Sequence, residues 1–220
     1  MKVSELYLVV RAIARVLADS ERTDEIHVVE EVTSRPIFRR WLETRSAELQ
    51  DLMERRPELA SDRVDYDALR ELPETTLGGA YIKHLDQNGL SADSQATQTR
   101  YCDDPEISYL VRRFRQTHDV WHTLTGLGVQ GHEEVIIHAF SMGQLNLPVS
   151  YLVVVFGTLK HIVLEKRWPA LQKGLRQAYD AGKNASALIP VIWEDHWNEP
   201  LDEVRLKFGV RPCNPEFVTA

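Results

Sequence analysis

Cysteine is scarce in this chain: there are two in 220 residues, Cys102 and Cys213, with no CxxC pair. That excludes a disulfide framework and points to a reduced, cytoplasmic setting. Excess positive charge is lacking as well. A formal net charge of -7 offers little drive for counterion release from phosphates, which argues against nucleic acid as a partner. A membrane-spanning run is also missing. The longest apolar stretch, Leu147 to Leu164, contains Pro148, Lys160 and His161, so only Val149 to Leu159 is free of charge. That is well short of the roughly 20 residues a spanning helix needs, and a core or interfacial helix is expected instead. At the N-terminus, Arg11 and Arg15 interrupt the apolar pattern and no small-residue cleavage site follows, so a signal peptide is not expected. Repeats and low-complexity tracts are absent, and only Leu188 to Trp193 reads as a plausible strand.

What is present is the composition of a globular protein, 43% hydrophobic and 27% charged, at a length suited to one domain covering residues 1–220. The periodicity is helical almost throughout. Leu6, Val9, Val10, Ile13, Val16 and Leu17 form a first amphipathic helix. Ser34-Arg35-Pro36 opens a second, carrying Phe38, Trp41 and Leu42 and ending before Pro57. Residues 58–76 read as loop with a short helix, and Leu77 to Leu85 as another helix closed by Asn88-Gly89. Ser91 to Arg100 is a polar loop. Asp103-Asp104-Pro105 is a helix start, and Gly126 and Gly128 stop that helix after Thr125. Further helices run from Gly131 to Asn146, through the apolar stretch, from Trp168-Pro169 to Gly182, and from Leu201 to Phe208. The expected fold is all-α, a helical bundle with its site between two adjacent antiparallel helices.

Four of the eight histidines fall between His118 and His138. His118 and His122 are four residues apart, about 40° on a helical wheel, so both imidazoles can reach one ion. Ile107, Val111, Phe114 and Thr125 share their stripe, which places the pair on a buried face. Asp119 lies at the edge of that stripe. On the next helix Glu134, His138 and Ser141 form a polar strip that can face the histidines across an antiparallel pair. Glu133, about 100° away, is expected to face water. Two imidazoles with one or two carboxylates suit a divalent metal: zinc first, with iron, manganese or magnesium as alternatives. The plainer alternatives are structural. A lone histidine is usually a core residue, Asp119 can pair with Arg115, and Glu134 can complement a helix dipole.

The pattern His-Asp-x-x-His, eleven residues, then Glu is met by His118, Asp119, His122 and Glu134. It resembles the signature of the coenzyme Q (ubiquinone) biosynthesis protein four family. Asp103-Asp104-Pro105-Glu106, Arg113-Phe114-Arg115, Trp193-Glu194, Pro200-Leu201 and Val204-Arg205 are similar too. With no organelle-targeting presequence apparent, the chain resembles a prokaryotic homologue. The resemblance implies an all-helical protein, peripheral on the inner face of the membrane, that binds a divalent metal, usually zinc. His118, Asp119, His122 and Glu134 would serve as metal and catalytic residues. It also implies a scaffold for other quinone-biosynthesis proteins, and oxidative removal of the ring carboxylate from a polyprenyl-hydroxybenzoate.

A Lewis-acidic metal fits that chemistry, and the isoprenoid tail needs an apolar groove. Tyr151, Val155 and Leu159 mark one stripe of the apolar helix, with Leu152 and Phe156 beside it, as a lipid-binding wall. Arg112, Arg113, Lys173, Arg176 and Lys183 are candidates to meet an anionic group or membrane surface, or simply a solvated face. A homodimer is a further expectation. Two other readings stand beside the enzyme: a non-catalytic lipid-binding scaffold, and a His-Asp phosphohydrolase using His84, His118, Asp119 and Asp180.

Overall fold

The computed structural model describes residues 2–19, 22–91, 93, 99–165 and 168–213. Ten α-helices and one 3-10 turn occur among them, with no strand beyond a single bridge between Thr76 and Pro200. Leu188 to Trp193 forms a turn leading into the 3-10 segment Trp193–Asp195. The polar stretch Ser91 to Arg100 lies mostly outside the described residues.

Helix α1 (Val3–Ala18) buries Val9 and Ala12 against α2 (Thr23–Thr44), and Arg15–Glu25 and Arg35–Glu5 ion pairs join the two at 2.5 and 2.8 Å. Here the sequence expectation is corrected. Pro36 does not open a helix; it lies inside α2, thirteen residues after its start. Proline removes the N–H that would bond the Val32 carbonyl. The Arg35 side chain supplies a substitute donor, its Nε lying 3.3 Å from that oxygen. The chain breaks at Arg45, which takes a left-handed conformation, and Ser46 caps α3 (Ala47–Arg55).

Asp65 caps the short α4 (Tyr66–Arg70), and Thr76 caps α5 (Leu77–Asn88), which stops at Gly89 with φ +62°. The start of α5 is tied to the distant chain end: Leu77 N–H donates to Glu199 O and Gly78 N–H to Trp197 O, each at 2.9 Å.

Helix α6 (Pro105–Thr125) begins and ends where the sequence signals say, at the Asp104 cap and at Gly126 with φ +73°. Seventeen of its twenty-one residues are buried, so it runs through the interior and does not show a face to water. That corrects the assignment of Arg113 to a surface patch. Arg113 is fully buried, and its guanidinium forks onto Glu194 at 2.7 and 2.8 Å. Arg115 is equally enclosed, held by Glu30 and Glu31 of α2 at 2.5 and 2.9 Å. Arg112 bonds Ser108 and Glu58, while Arg176 stays exposed beside Asp180. The last carbonyls of α6 receive donors from the chain end: Arg205 bonds Thr123 O and Leu124 O, and Cys213 N–H bonds Thr125 O.

Helix α7 (Gly131–Leu145) packs on α8 (Pro148–Glu165) and most closely on α9 (Trp168–Asn184); α10 (Leu201–Phe208) closes the chain. The α7–α9 crossing depends on two glycines. A Cβ at Gly143 would sit 2.4 Å from Tyr179 O, and one at Gly182 would sit 2.2 Å from Phe140 O. Only hydrogen at these positions permits backbone contact. No described helix is long and apolar enough to cross a membrane. Along α8, Ser150 and Thr158 are buried, whereas Tyr151, Val155 and Leu159 are exposed and Leu152 and Phe156 half-buried. Cys102 and Cys213 are both free and buried.

Candidate metal centre

Helices α6 and α7 meet through long side chains. His122 pairs with Glu134 and His118 with His138, so the helices run antiparallel. Trp121 of α6 packs edge-on against Phe140 of α7, with ring centroids 5.9 Å apart, which ties the two helices together.

The donor atoms of His118, His122 and Glu134 lie within 4.8 Å of one another. His118 Nε2 is 3.1 Å from His122 Nε2, and each Nε2 is 3.5 Å from one oxygen of Glu134. Ligand atoms held 2.0–2.1 Å from one tetrahedral ion are about 3.3 Å apart, so these separations match the edges of such a shell. A chain carbonyl can only accept, so the 3.3 Å contact between His122 Nδ1 and Leu127 O fixes the proton on Nδ1. The Nε2 lone pair of His122 is therefore free to bind an ion, and orienting contacts of this kind are usual for metal-ligating histidines.

The loop between the helices arranges both sides of the site. Gly126 turns the chain, and Leu127, 1% exposed, anchors it. Next, Gly128 N–H and Gln130 N–H donate to the Glu133 carboxylate at 2.8 and 3.0 Å. Glu133 therefore does not face water as expected; it is buried and holds the loop. Its spacing from Gln130, a capping-box register, was a signal that sequence reasoning passed over. Glu134, one residue on, is left to point at the histidines.

The electrostatics follow from burial. Burial opposes charge on His118, but its bond to Glu134 and the nearby carboxylates outweigh that and raise its pKa. Burial likewise works against an ionised Glu134, yet both histidines pull its pKa far below the carboxylate range. Asp119 is raised by burial, with His118 and His122 opposing. Its carboxylate stands outside the trio, and Arg115, the cation it was offered, belongs to Glu30 and Glu31.

Two more imidazoles flank the trio. His138 Nδ1 lies 3.4 Å from Ser150 Oγ, which links the centre to α8; burial and then His118 lower its pKa to about 3. His84, from α5, stacks on His122 with centroids 5.3 Å apart and planes at 20°. Burial and then His122 lower its pKa to about 4. Of the phosphohydrolase set, His84 thus lies beside the motif, whereas Asp180 is exposed on α9 beside Arg176.

Comparison with known proteins is consistent across sequence and fold. The profile of the family described as "Coenzyme Q (ubiquinone) biosynthesis protein Coq4" matches residues 1–214. The mitochondrial ubiquinone biosynthesis protein COQ4 of Coprinopsis cinerea is 31% identical, over 88% of this chain and 67% of its own. The Bos taurus COQ4 homolog is 30% identical, over 88% of this chain and 73% of its own. A crystallised chain from Nostoc punctiforme with a provisional ubiquinone-biosynthesis name has the same fold. It is 24% identical at a TM-score of 0.74, covering 92% of this chain and 97% of its own.

Proposed function

The chain belongs to the Coq4 family of coenzyme Q (ubiquinone) biosynthesis proteins, and from that premise we propose that it binds a polyprenyl-hydroxybenzoate and removes its ring carboxylate oxidatively at a metal held by His118, His122 and Glu134. The observation that carries this reading is the trio itself. Its edges of 3.1–3.5 Å and the tautomer imposed by Leu127 O set three groups at the spacing of ligands around one ion. Zinc is the first candidate for the ion, with iron, manganese and magnesium as alternatives.

The overall change is replacement of a ring carboxyl by a hydroxyl: Ar–COOH with dioxygen, two electrons and two protons gives Ar–OH, carbon dioxide and water. Dioxygen and a two-electron reductant are therefore co-substrates. A bound divalent ion supplies Lewis acidity toward the ring oxygens. The chain's own residues do the remainder. With the ion bound, His118 and His122 would be neutral and Glu134 ionised, so the trio would offset part of the ion's charge. Asp119, enclosed near both histidines, adds negative charge that favours a cation, so we retain it as a supporting residue.

The tail of the substrate is assigned to α8. Tyr151, Val155 and Leu159 are 42%, 52% and 51% exposed, an unusual position for three large apolar groups on one stripe. With Leu152 and Phe156 they form an apolar wall on the same helix whose buried face carries Ser150, the contact of His138. Each buried CH₂ contributes about 0.8 kcal/mol, so affinity should climb with tail length. The same exposed stripe favours the second reading, a lipid-binding scaffold beside other quinone-biosynthesis proteins at a membrane surface or in a homodimer.

The test is metal analysis of protein purified without added metal, with conversion assayed under dioxygen and a chemical reductant. One ion per chain, lost in His122→Ala together with release of carbon dioxide, supports the enzyme. Metal binding without any conversion supports the scaffold. Full occupancy in His122→Ala overturns the site.

A further inference from the structure

His84 belongs to neither helix of the motif, yet it is built into the centre. The start of α5 is fixed by backbone bonds from Leu77 and Gly78 to Glu199 and Trp197. Gly79 lets that turn press on Pro73, where a Cβ would lie 2.2 Å from the carbonyl oxygen. Two turns later the imidazole lies flat against His122, and the titratable groups that act on it are His122, Glu134 and His118. It stands outside the trio of mutually close ligand atoms. Its Nε2 is nonetheless screened from solvent and without a hydrogen-bond partner. Leaving a buried polar nitrogen unsatisfied is unfavourable, and this one sits on a ring stacked against a member of the trio, where a ligand arriving with the ion would supply its partner.

We propose that His84 is the hydrogen-bonding anchor for an oxygen of the aromatic substrate, carboxylate or phenol, that shares the pocket with the ion; this rests on the metal-site reading above. An imidazole suits either oxygen, since it donates to a carboxylate and accepts from a phenol through the same nitrogen. Stacking on His122 holds the ring at a fixed tilt, so the bond selects the orientation of the substrate and not merely its presence.

The test uses the full chain loaded with cobalt, whose visible absorption reports both the ligand set and changes at the open position. Wild type, His84→Phe and His84→Gln are compared for cobalt content and for spectral titration with 4-hydroxybenzoate and with benzoate. His84→Phe keeps the stacked ring and removes both nitrogens; His84→Gln keeps a polar group. The expected result is wild-type cobalt content and ligand-free spectrum in both variants. Affinity for 4-hydroxybenzoate should fall about ten-fold or more in His84→Phe and recover in part in His84→Gln. A matching loss for benzoate identifies the carboxylate as the anchored group, and a loss confined to 4-hydroxybenzoate identifies the phenol. Unchanged affinity in His84→Phe overturns the anchor while leaving the metal site intact. Loss of cobalt from both variants also overturns it, making His84 a ligand. A wild-type chain that takes no cobalt overturns the reading of the site and the anchor with it.

Discussion

His122 Nδ1 donates to the carbonyl oxygen of Leu127 across 3.3 Å, so a residue just past the end of α6 decides which nitrogen of a helical histidine faces the site. The same loop carries the bonds to Glu133, and the two adjacent glutamates are thereby given different tasks. Glu134→Gln should lower metal affinity and, by removing the carboxylate that His118 and His122 face, also lower the melting temperature of the metal-free protein. Glu133→Ala strands two backbone donors and should cost about 2 kcal/mol of stability in denaturant titrations. The reverse ranking would mean that α7 turns its other face to the histidines.

Alanine in place of glycine should have opposite severity at two kinds of position. Gly143→Ala and Gly182→Ala each force a methyl into a facing backbone, and each should lose about 3 kcal/mol, measured by urea unfolding. At Gly89 the space is open and only the left-handed backbone resists, so the loss should stay near 1 kcal/mol. Equal losses at all three would remove the close α7–α9 crossing as the cause.

The buried pair Arg113–Glu194 should be costly to break and cheap to replace. Glu194→Ala leaves an enclosed guanidinium without its carboxylate and should destabilise by about 3–5 kcal/mol. Arg113→Met combined with Glu194→Gln should recover most of that loss in the same unfolding assay. A double variant as unstable as Glu194→Ala would show that the fork itself, and not the stranded charge, is required.

Stability should fall on mild acidification. Burial lowers His27 and His84 to about 4 and His138 to about 3, all below their ordinary value of 6.5. Their neutral forms contribute stability that is fully present above pH 6.5 and is lost as pH falls toward those values, at about 1.4 kcal/mol per unit for each. Burial raises Glu30 to about 7, and its contribution has the opposite sign: present below pH 4.5 and lost as pH rises through 7. Asp119, also raised by burial, acts in the same sense as Glu30, and the three histidines outnumber the two between pH 6.5 and 4.5. His27→Gln should reduce proton uptake on unfolding of the metal-free protein by about one in that window. An unchanged pH slope would mean that His27 is charged in the folded state.

Much of this was legible in the sequence because it is local. The Asp104-Pro105 start and Gly126 stop of α6 are cap chemistry, and His118 with His122 is helical spacing. Glu134 was found by its register with His138 and by the family spacing. What failed was whatever depended on distant partners. Arg113 looks like a surface charge and Arg115 like a partner for Asp119 until Glu194, Glu30 and Glu31 arrive from 81 or more residues away to pair with them. Pro36 looks like a helix start until Arg35 takes over the orphaned carbonyl. His84 has no local pattern at all, because its place beside His122 is set by bonds between α5 and the chain end.

Those bonds, with the ones from Arg205 and Cys213 to the last carbonyls of α6, make the centre depend on residues far along the chain from its motif. A growing chain carries His118, His122 and Glu134 well before it carries residues 197–213. Without that segment, the carbonyls of Thr123, Leu124 and Thr125 and the N–H groups of Leu77 and Gly78 would lose these partners. A chain cut before residue 197 would hold His118, His122 and Glu134 but lack the bonds that fix α5 and the end of α6 around them.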